Sequence, residues 1–254
     1  MATLLTTLKK RFDRIYVLTM SNRQDRRNLM ESQFKQLGLP LPDETPYIRY
    51  YFGTPFPHNG IICDAFNRSR KGRFTKPNEY DCSRNHYSIN RISYDLGLDH
   101  ILVLEDDVLL LNSPELLSEY IESIPEDFDI IQGGGFTVAQ DICKLMKESE
   151  FKWFKHKHIG LWNASFYGMS RRGMEFYRVF MDEISFWVAD GPLFKAPLSD
   201  NVINTYASTV PLAVQADKDE ILSDIRDKSN DSIDYNNQNM YERDIDLKNY
   251  FSVQ

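Results

Sequence analysis

Asp99-His-Ile-Leu-Val-Leu-Glu-Asp-Asp-Val-Leu-Leu-Leu111 is the stretch whose reading decides the fold. Its four consecutive apolar residues, Ile101 to Leu104, predict a strand buried on both faces, the pattern of a parallel sheet covered by helices. The strand runs straight into three carboxylates, Glu105, Asp106 and Asp107, before apolar residues resume at Val108. A buried carboxylate without a partner is costly or neutralises itself, so three of them inside an apolar run demand a counter-charge. A hard divalent cation, Mg²⁺ or Mn²⁺, is the expected source. Such ions take oxygen ligands, and the end of a strand in an open α/β sheet is where ligands sit. The plainer alternative is a solvated acidic turn.

Outward from that strand, the chain reads as alternating strands and helices. Ile15-Tyr-Val-Leu-Thr19 predicts a first buried strand, and Ser21 or Asn22 is placed to cap a helix carrying Met30, Phe34 and Leu37, ended by Gly38 and Pro40. The turn between them lies at the ligand crevice of an open sheet, which puts Arg23, Arg26 and Arg27 where a nucleotide could bind; for any one arginine, a surface position is the simpler expectation. Tyr47 to Phe52 is rich in β-formers and predicts a second strand. The Pro-rich remainder up to Asn78 reads as a long loop. Residues 81–96 predict a helix with Ile89, Ile92 and Leu96 on one stripe, Cys82 and His86 near it, and Gly97 at its end. A histidine so placed is expected to be a packed, hydrogen-bonded core residue.

Ser113-Pro-Glu115 is a helix start, with Leu116, Leu117, Tyr120, Ile121 and Ile124 as its buried face. Phe128 to Gln132 predicts a further strand, followed by Gly133-Gly-Gly135, whose missing side chains allow a close approach to the backbone or simply a flexible loop. A helix is expected around Ile142 to Met146, then a loop containing His156 and His158. Asn163 to Met169 alternates as a strand, Ser170 caps, and Met174, Tyr177 and Met181 mark a helix. A helix is expected through Tyr206, with Asp200 at its start, where an acid is favoured as a cap, and Pro211 to Gln215 reads as a strand.

The 254 residues suffice for one large domain, expected over 1–227, with 228–254 a polar tail or flap. The net charge of −7 is uneven: residues 216–254 hold ten acids against five bases, so the body is near neutral and no nucleic-acid partner is expected. The segment from Arg68 to Lys76 carries five positive charges and no negative one, compatible with a solvated loop or with an anionic substrate or membrane surface. Cys63, Cys82 and Cys143 are odd in number and sit at no metal-ligand spacing, which predicts reduced thiols. With basic residues following only a short apolar N-terminal stretch, and no run of eighteen apolar residues, a cytoplasmic protein at most peripheral to a membrane is expected.

The order of these pieces resembles glycosyltransferase family 25, the lipooligosaccharide and collagen galactosyltransferase-like group, over residues 13–226. The resemblance is carried by Ile15-Tyr-Val-Leu18 with Arg23, Asp25 and Arg26, by Asn78-Glu-Tyr-Asp-Cys-Ser-Arg-Asn-His86, and by Leu104-Glu-Asp-Asp-Val108. Phe128 to Gly133, Phe166-Tyr-Gly-Met-Ser170 with Gly173, and Ser199-Asp200 with the segment from Pro211 to Ile225 continue it. Asn78, Asp81 and Asn85 depart from the pattern, which has glycine, glycine and serine there.

The resemblance implies a GT-A-like single α/β domain with a mostly parallel central sheet flanked by helices. It also implies a metal-assisted, inverting transfer of a sugar, galactose-type, from a UDP-linked donor to a glycan or lipooligosaccharide-type acceptor. Asp107 and Glu105 are then the expected ligands for Mn²⁺ or Mg²⁺, alternate acids pointing the same way at a strand end, with Asp106 behind them or on the ribose. Arg23, Arg26, His86 and Gly133 complete the expected donor site. Asp200 is the expected general base, with Asp190 in reserve. A metal-dependent nucleotidyltransferase competes, but Thr19-Met-Ser-Asn-Arg23 lacks the glycine of a phosphate loop. A degenerate module that binds donor or glycan without turnover is the non-enzymatic alternative.

Overall fold

The computed structural model describes residues 3–54, 77–134, 149–155, 163–183, 189, 191–196 and 202–216. The basic segment 68–76, the helix expected near Ile142, His156, His158 and the tail 228–254 lie outside the described residues.

Among the described residues the helices are α1 (Leu4–Arg11), α2 (Gln24–Gln36), α3 (Pro77–Asp95), α4 (Pro114–Glu122), α5 (Arg171–Glu183) and α6 (Gly191–Lys195). The strands are β1 (Arg14–Met20), β2 (Ile48–Gly53), β3 (His100–Glu105), β4 (Val108–Leu110), β5 (Ile130–Gln132), β6 (Trp153–Lys155), β7 (Phe166–Ser170), β8 (Thr205–Ser208) and β9 (Ala213–Gln215). Seven strands form one mixed sheet in the order β2-β1-β3-β7-β5-β8-β6, and β4 pairs with β9 separately. Strand β1 is parallel to both β2 and β3, β5 is parallel to β8, and only β7 and β6 run against the rest. The expected α/β domain with a mostly parallel sheet is the observed one.

The apolar run of β3 is buried on both faces for the reason its sequence suggested. Leu102 and Leu104 join Ile15, Val17, Met30, Phe34 and Ile121 in the layer beneath α1, α2 and α4. Ile101 and Val103 face the opposite way and pack with Ile89, Tyr167, Met174 and Tyr177 beneath α3 and α5. Ser113 caps α4 by accepting from the Leu116 N–H at 3.2 Å, with Pro114 in the first turn. Gly38 and Gly97 follow α2 and α3 with φ of +68° and +74°, conformations that cost a residue with a Cβ.

The expectations for four elements differ from the structure. Neither Ser21 nor Asn22 caps α2; Arg23 occupies that position without a side-chain cap, because a guanidinium carries only donors and cannot accept from the first N–H groups, and it donates instead to Asp25. The buried face of α3 is mostly polar: Ile92 and Leu96 are exposed, while Asp81, Ser83, Asn85, His86, Asn90 and Ser93 are buried with Ile89. The helix expected through Tyr206 is strand β8, which inserts between β5 and β6. Trp153 to Lys155, expected in a loop, forms β6 at the sheet edge, with the indole N–H donating to the Tyr120 carbonyl at 2.9 Å.

Candidate active site

The acids sit where parallel strands end side by side. In the β1–β3 register Leu18 lies opposite Glu105, so the turn leaving β1 toward α2 abuts the turn leaving β3. The pleat then sorts the carboxylates. Glu105 is the last residue of β3 and shares the face of Val103, toward α3, whereas Asp106 and Asp107 form a turn before β4. Strand alternation therefore stops at Glu105, and the two carboxylates expected to point together engage different partners.

On the α2 side, Arg26 Nη1 lies 3.0 Å from Asp106 Oδ1 and 3.1 Å from Asp107 Oδ2. Gln215 Nε2 donates to Asp107 Oδ2 at 3.3 Å, and the Ala216 N–H donates to the Asp107 carbonyl at 2.8 Å, tying the turn to β9. The other oxygen, Asp107 Oδ1, is buried with no hydrogen-bond partner among the described residues. Burial pushes the Asp107 carboxyl up, with the charge of Glu105 next and Arg26 opposing, to about 6. Burial raises Asp106 as well, against Arg26. All three arginines of the first turn are buried, against the expectation of surface positions. Arg23 pairs with Asp25 at 2.7 Å and holds that carboxyl down at about 2, while Arg27 donates to the Ser21 carbonyl at 3.0 Å and braces the turn.

On the α3 side, His86 Nε2 lies 3.1 Å from Glu105 Oε1 and the Cys82 thiol donates to the same oxygen at 3.8 Å. His86 is wholly buried, as a packed histidine should be, and its Nδ1 lies 3.0 Å from the Tyr167 hydroxyl, which also accepts from Asn90 Nδ2 at 3.2 Å. Burial acts to raise the Glu105 carboxyl, but the hydrogen bond and charge of His86, with Arg26 and Cys82, more than offset it and hold the group below its usual range.

Gly133 lies at the same end of the sheet, but what approaches it closely is the protein itself: a Cβ there would meet the Phe166 ring at 2.4 Å, and one on Gly134 the Ala213 carbonyl at 2.6 Å. Asp190 and Asp200 lie outside the described residues. The structure thus brings Arg26, Asp106, Asp107, Glu105 and His86 together, with Arg23 paired to Asp25 nearby. Sequence reasoning missed Gln215, Tyr167, Asn90 and the grouping of Cys82, His86 and Glu105, whose ligand atoms all lie within 4.8 Å of one another. The Cys82-x-x-x-His86 spacing, one helical turn, was the available signal.

Within this turn, Asp107 Oδ1 is the oxygen that suits a hard divalent cation. Glu105, Asp106 and Asp107 place three carboxylates against the Arg26 guanidinium and the His86 imidazole, so at least one negative charge stays uncompensated when all three acids are ionised, and Asp107 Oδ1 has no partner among the described residues. Among the described residues no helix is long and apolar enough to cross a membrane.

The model of glycosyltransferase family 25, described as an LPS biosynthesis protein, matches residues 12–157. No curated protein matches this chain. Among solved structures, the chain is similar to a glycosyltransferase involved in the glycosylation of the major capsid of PBCV-1, at 12% identity over 68% of this chain and 67% of that one, with a TM-score of 0.33. It is also similar to A197 from STIV, at 14% identity over 84% of this chain and 97% of that one, with a TM-score of 0.37.

Proposed function

From the fact that the chain belongs to glycosyltransferase family 25, we propose that it transfers a hexose, galactose-type, from a UDP-linked donor to a glycan or lipooligosaccharide-type acceptor, with inversion, in a GT-A-like domain spanning 1–227. The observation that carries the metal-assisted reading is Asp107 Oδ1, buried without a partner among the described residues, in a turn whose three carboxylates outnumber the cationic groups that face them. Asp107 through Oδ1, and Glu105 through the oxygen not facing His86, would hold Mn²⁺ or Mg²⁺. The bound ion supplies charge neutralisation at the departing diphosphate.

The chain's own residues do the rest. Arg26 fixes both aspartates from one nitrogen, so the turn keeps its shape before substrate arrives, and preorganised charge costs no rearrangement during the reaction. Arg23 and Asp106 stand at the same crevice as donor-binding groups, and His86 acts on it from behind, through Glu105. Asp200, with Asp190 in reserve, is proposed to take the proton of the acceptor hydroxyl, which requires hydrogen-bond reach of that oxygen.

Nucleotide release from a panel of nucleotide sugars, with and without Mn²⁺ or Mg²⁺, tests the reading. Release from one donor that needs the ion and is lost in Asp107→Ala supports it. Donor binding without release in the presence of glycan acceptors would instead favour a binding module, and neither binding nor release would remove the donor site from the acidic turn.

A further inference from the structure

We infer that Cys82 Sγ, His86 Nε2 and Glu105 Oε1 form a second cation site, selective for a thiolate-preferring ion of the Zn²⁺ class and sharing only Glu105, through its other oxygen, with the oxygen site proposed at Asp107. Cys82 and His86 lie four residues apart on α3, which stacks their side chains on one face of the helix, and that face meets the end of β3 where Glu105 projects.

The spacing has the dimensions of a tetrahedral site. Zinc bonds of ~2.3 Å to sulfur and ~2.0–2.1 Å to nitrogen and oxygen imply tetrahedral edges of about 3.4 Å between nitrogen and oxygen and about 3.6 Å between sulfur and oxygen. The observed separations are 3.1 Å from His86 Nε2 to Glu105 Oε1 and 3.8 Å from Cys82 Sγ to the same oxygen. These two edges are within about 0.3 Å of the tetrahedral values, a shift that side-chain torsions absorb, and all three ligand atoms lie within 4.8 Å of one another.

The surroundings supply what such a site needs. His86 Nδ1 faces the buried Tyr167 hydroxyl at 3.0 Å, and Asn90 Nδ2 donates both to that hydroxyl and to the His86 carbonyl at 2.9 Å. A ligating histidine is normally oriented by such a partner on its second nitrogen, which here leaves Nε2 for the ion. The Glu105 N–H donates to the Ser165 carbonyl at 2.9 Å and anchors the carboxylate end of β3. Cys82 and Glu105 are only partly buried, so water can complete three protein ligands to four, the arrangement of an open zinc site. On binding, the Cys82 thiol gives its proton to solvent and the thiolate bonds to the ion. Sulfur selects this ion over Mg²⁺ or Mn²⁺, which the all-carboxylate turn prefers. Glu105 joins the two sites, so an ion on the α3 side fixes a carboxylate that also faces the donor site.

Cobalt titration of a Cys63→Ser, Cys143→Ser background isolates the remaining thiol. One Co²⁺ equivalent per chain should show tetrahedral visible bands and a thiolate-to-cobalt charge-transfer band. Cys82→Ser should abolish that band and weaken binding at least about tenfold, whereas Asp107→Asn should retain it. No charge-transfer band on the background, or its persistence in Cys82→Ser, overturns the site. Should Cys82→Ser not fold, alkylation of the unsubstituted protein decides: Zn²⁺ protects Cys82 in peptide maps if the site exists, and leaves its labelling rate unchanged if it does not.

Discussion

Replacing Arg26 by methionine probes the arrangement that holds the acidic turn. One guanidinium nitrogen serves Asp106 at 3.0 Å and Asp107 at 3.1 Å, with side-chain exposures of 8% for the arginine and 6% and 11% for the aspartates. Methionine keeps the apolar stem and removes the charge. The pairs are nearly dry, and removing one partner of a buried pair costs about 3–5 kcal/mol, chiefly the penalty of an uncompensated buried charge. For a chain of this size that is a fall in melting temperature of roughly 10 °C. The cost must depend on pH, since the orphaned aspartates can escape it by binding protons. Asp107 already sits at about 6 with Arg26 present, and removing a lowering influence moves it further up. Urea denaturation in chelator at pH 8 and pH 5 is the assay: the deficit of Arg26→Met should be full at pH 8 and much smaller at pH 5, and added Mn²⁺ should recover part of it at pH 8. A deficit below about 1 kcal/mol at pH 8, or an equal one at both pH values, would refute the buried-pair account.

Asp107 itself sets a second pH dependence. Its folded value, about 6, lies above the ~3.9 of an unfolded aspartate, so the folded state binds the proton more tightly and this group's contribution is fully present below about pH 4 and lost as pH rises through 6. In metal-free protein the stability difference between wild type and Asp107→Asn should therefore shift in favour of the asparagine variant across that window, measured by denaturation at a series of pH values. Gln33 is buried and caps the free edge of β4, with Nε2 donating to the Val108 carbonyl at 2.9 Å and Oε1 accepting from the Leu110 N–H at 2.6 Å. Gln33→Leu strands both backbone groups, and a loss of about 2–4 kcal/mol is expected in thermal or urea unfolding. Asp200→Asn should lower sugar transfer by about 10²-fold or more with donor affinity unchanged in calorimetry, the behaviour of a lost general base; full transfer would remove Asp200 from the mechanism.

Local signals carried the parts of this molecule that local physics determines. The Ile101–Leu104 run needed no partner to announce a strand buried on both sides, and Ser113-Pro114 announced α4 through the backbone groups a helix start leaves unsatisfied. The apolar stripe of α3 misled because its inner face carries polar side chains engaged by β3 and β7, so hydrophobic periodicity pointed to Ile92 and Leu96, which face solvent. Tyr206 belongs to a strand because β5 and β6 flank it, a fact of tertiary pairing absent from its neighbours in sequence. The demand for a counter-charge at the acids was legible, but its first answer within the chain, Arg26, lies eighty residues upstream and is delivered by the β1–β3 register. Cys82 and His86 were legible as neighbours on one helix, but their grouping with Glu105 was not, because the end of β3 meets that helix only through the tertiary fold.

The central claim is that the Asp106–Asp107 turn receives a divalent ion together with a nucleoside diphosphate, and titration calorimetry of UDP tests it most directly. Wild-type protein should bind UDP at least about tenfold more tightly with Mn²⁺ than in chelator, and Asp107→Asn should lose that gain while retaining the metal-free affinity. Equal affinities with and without the ion, or a gain that survives in Asp107→Asn, would contradict the account.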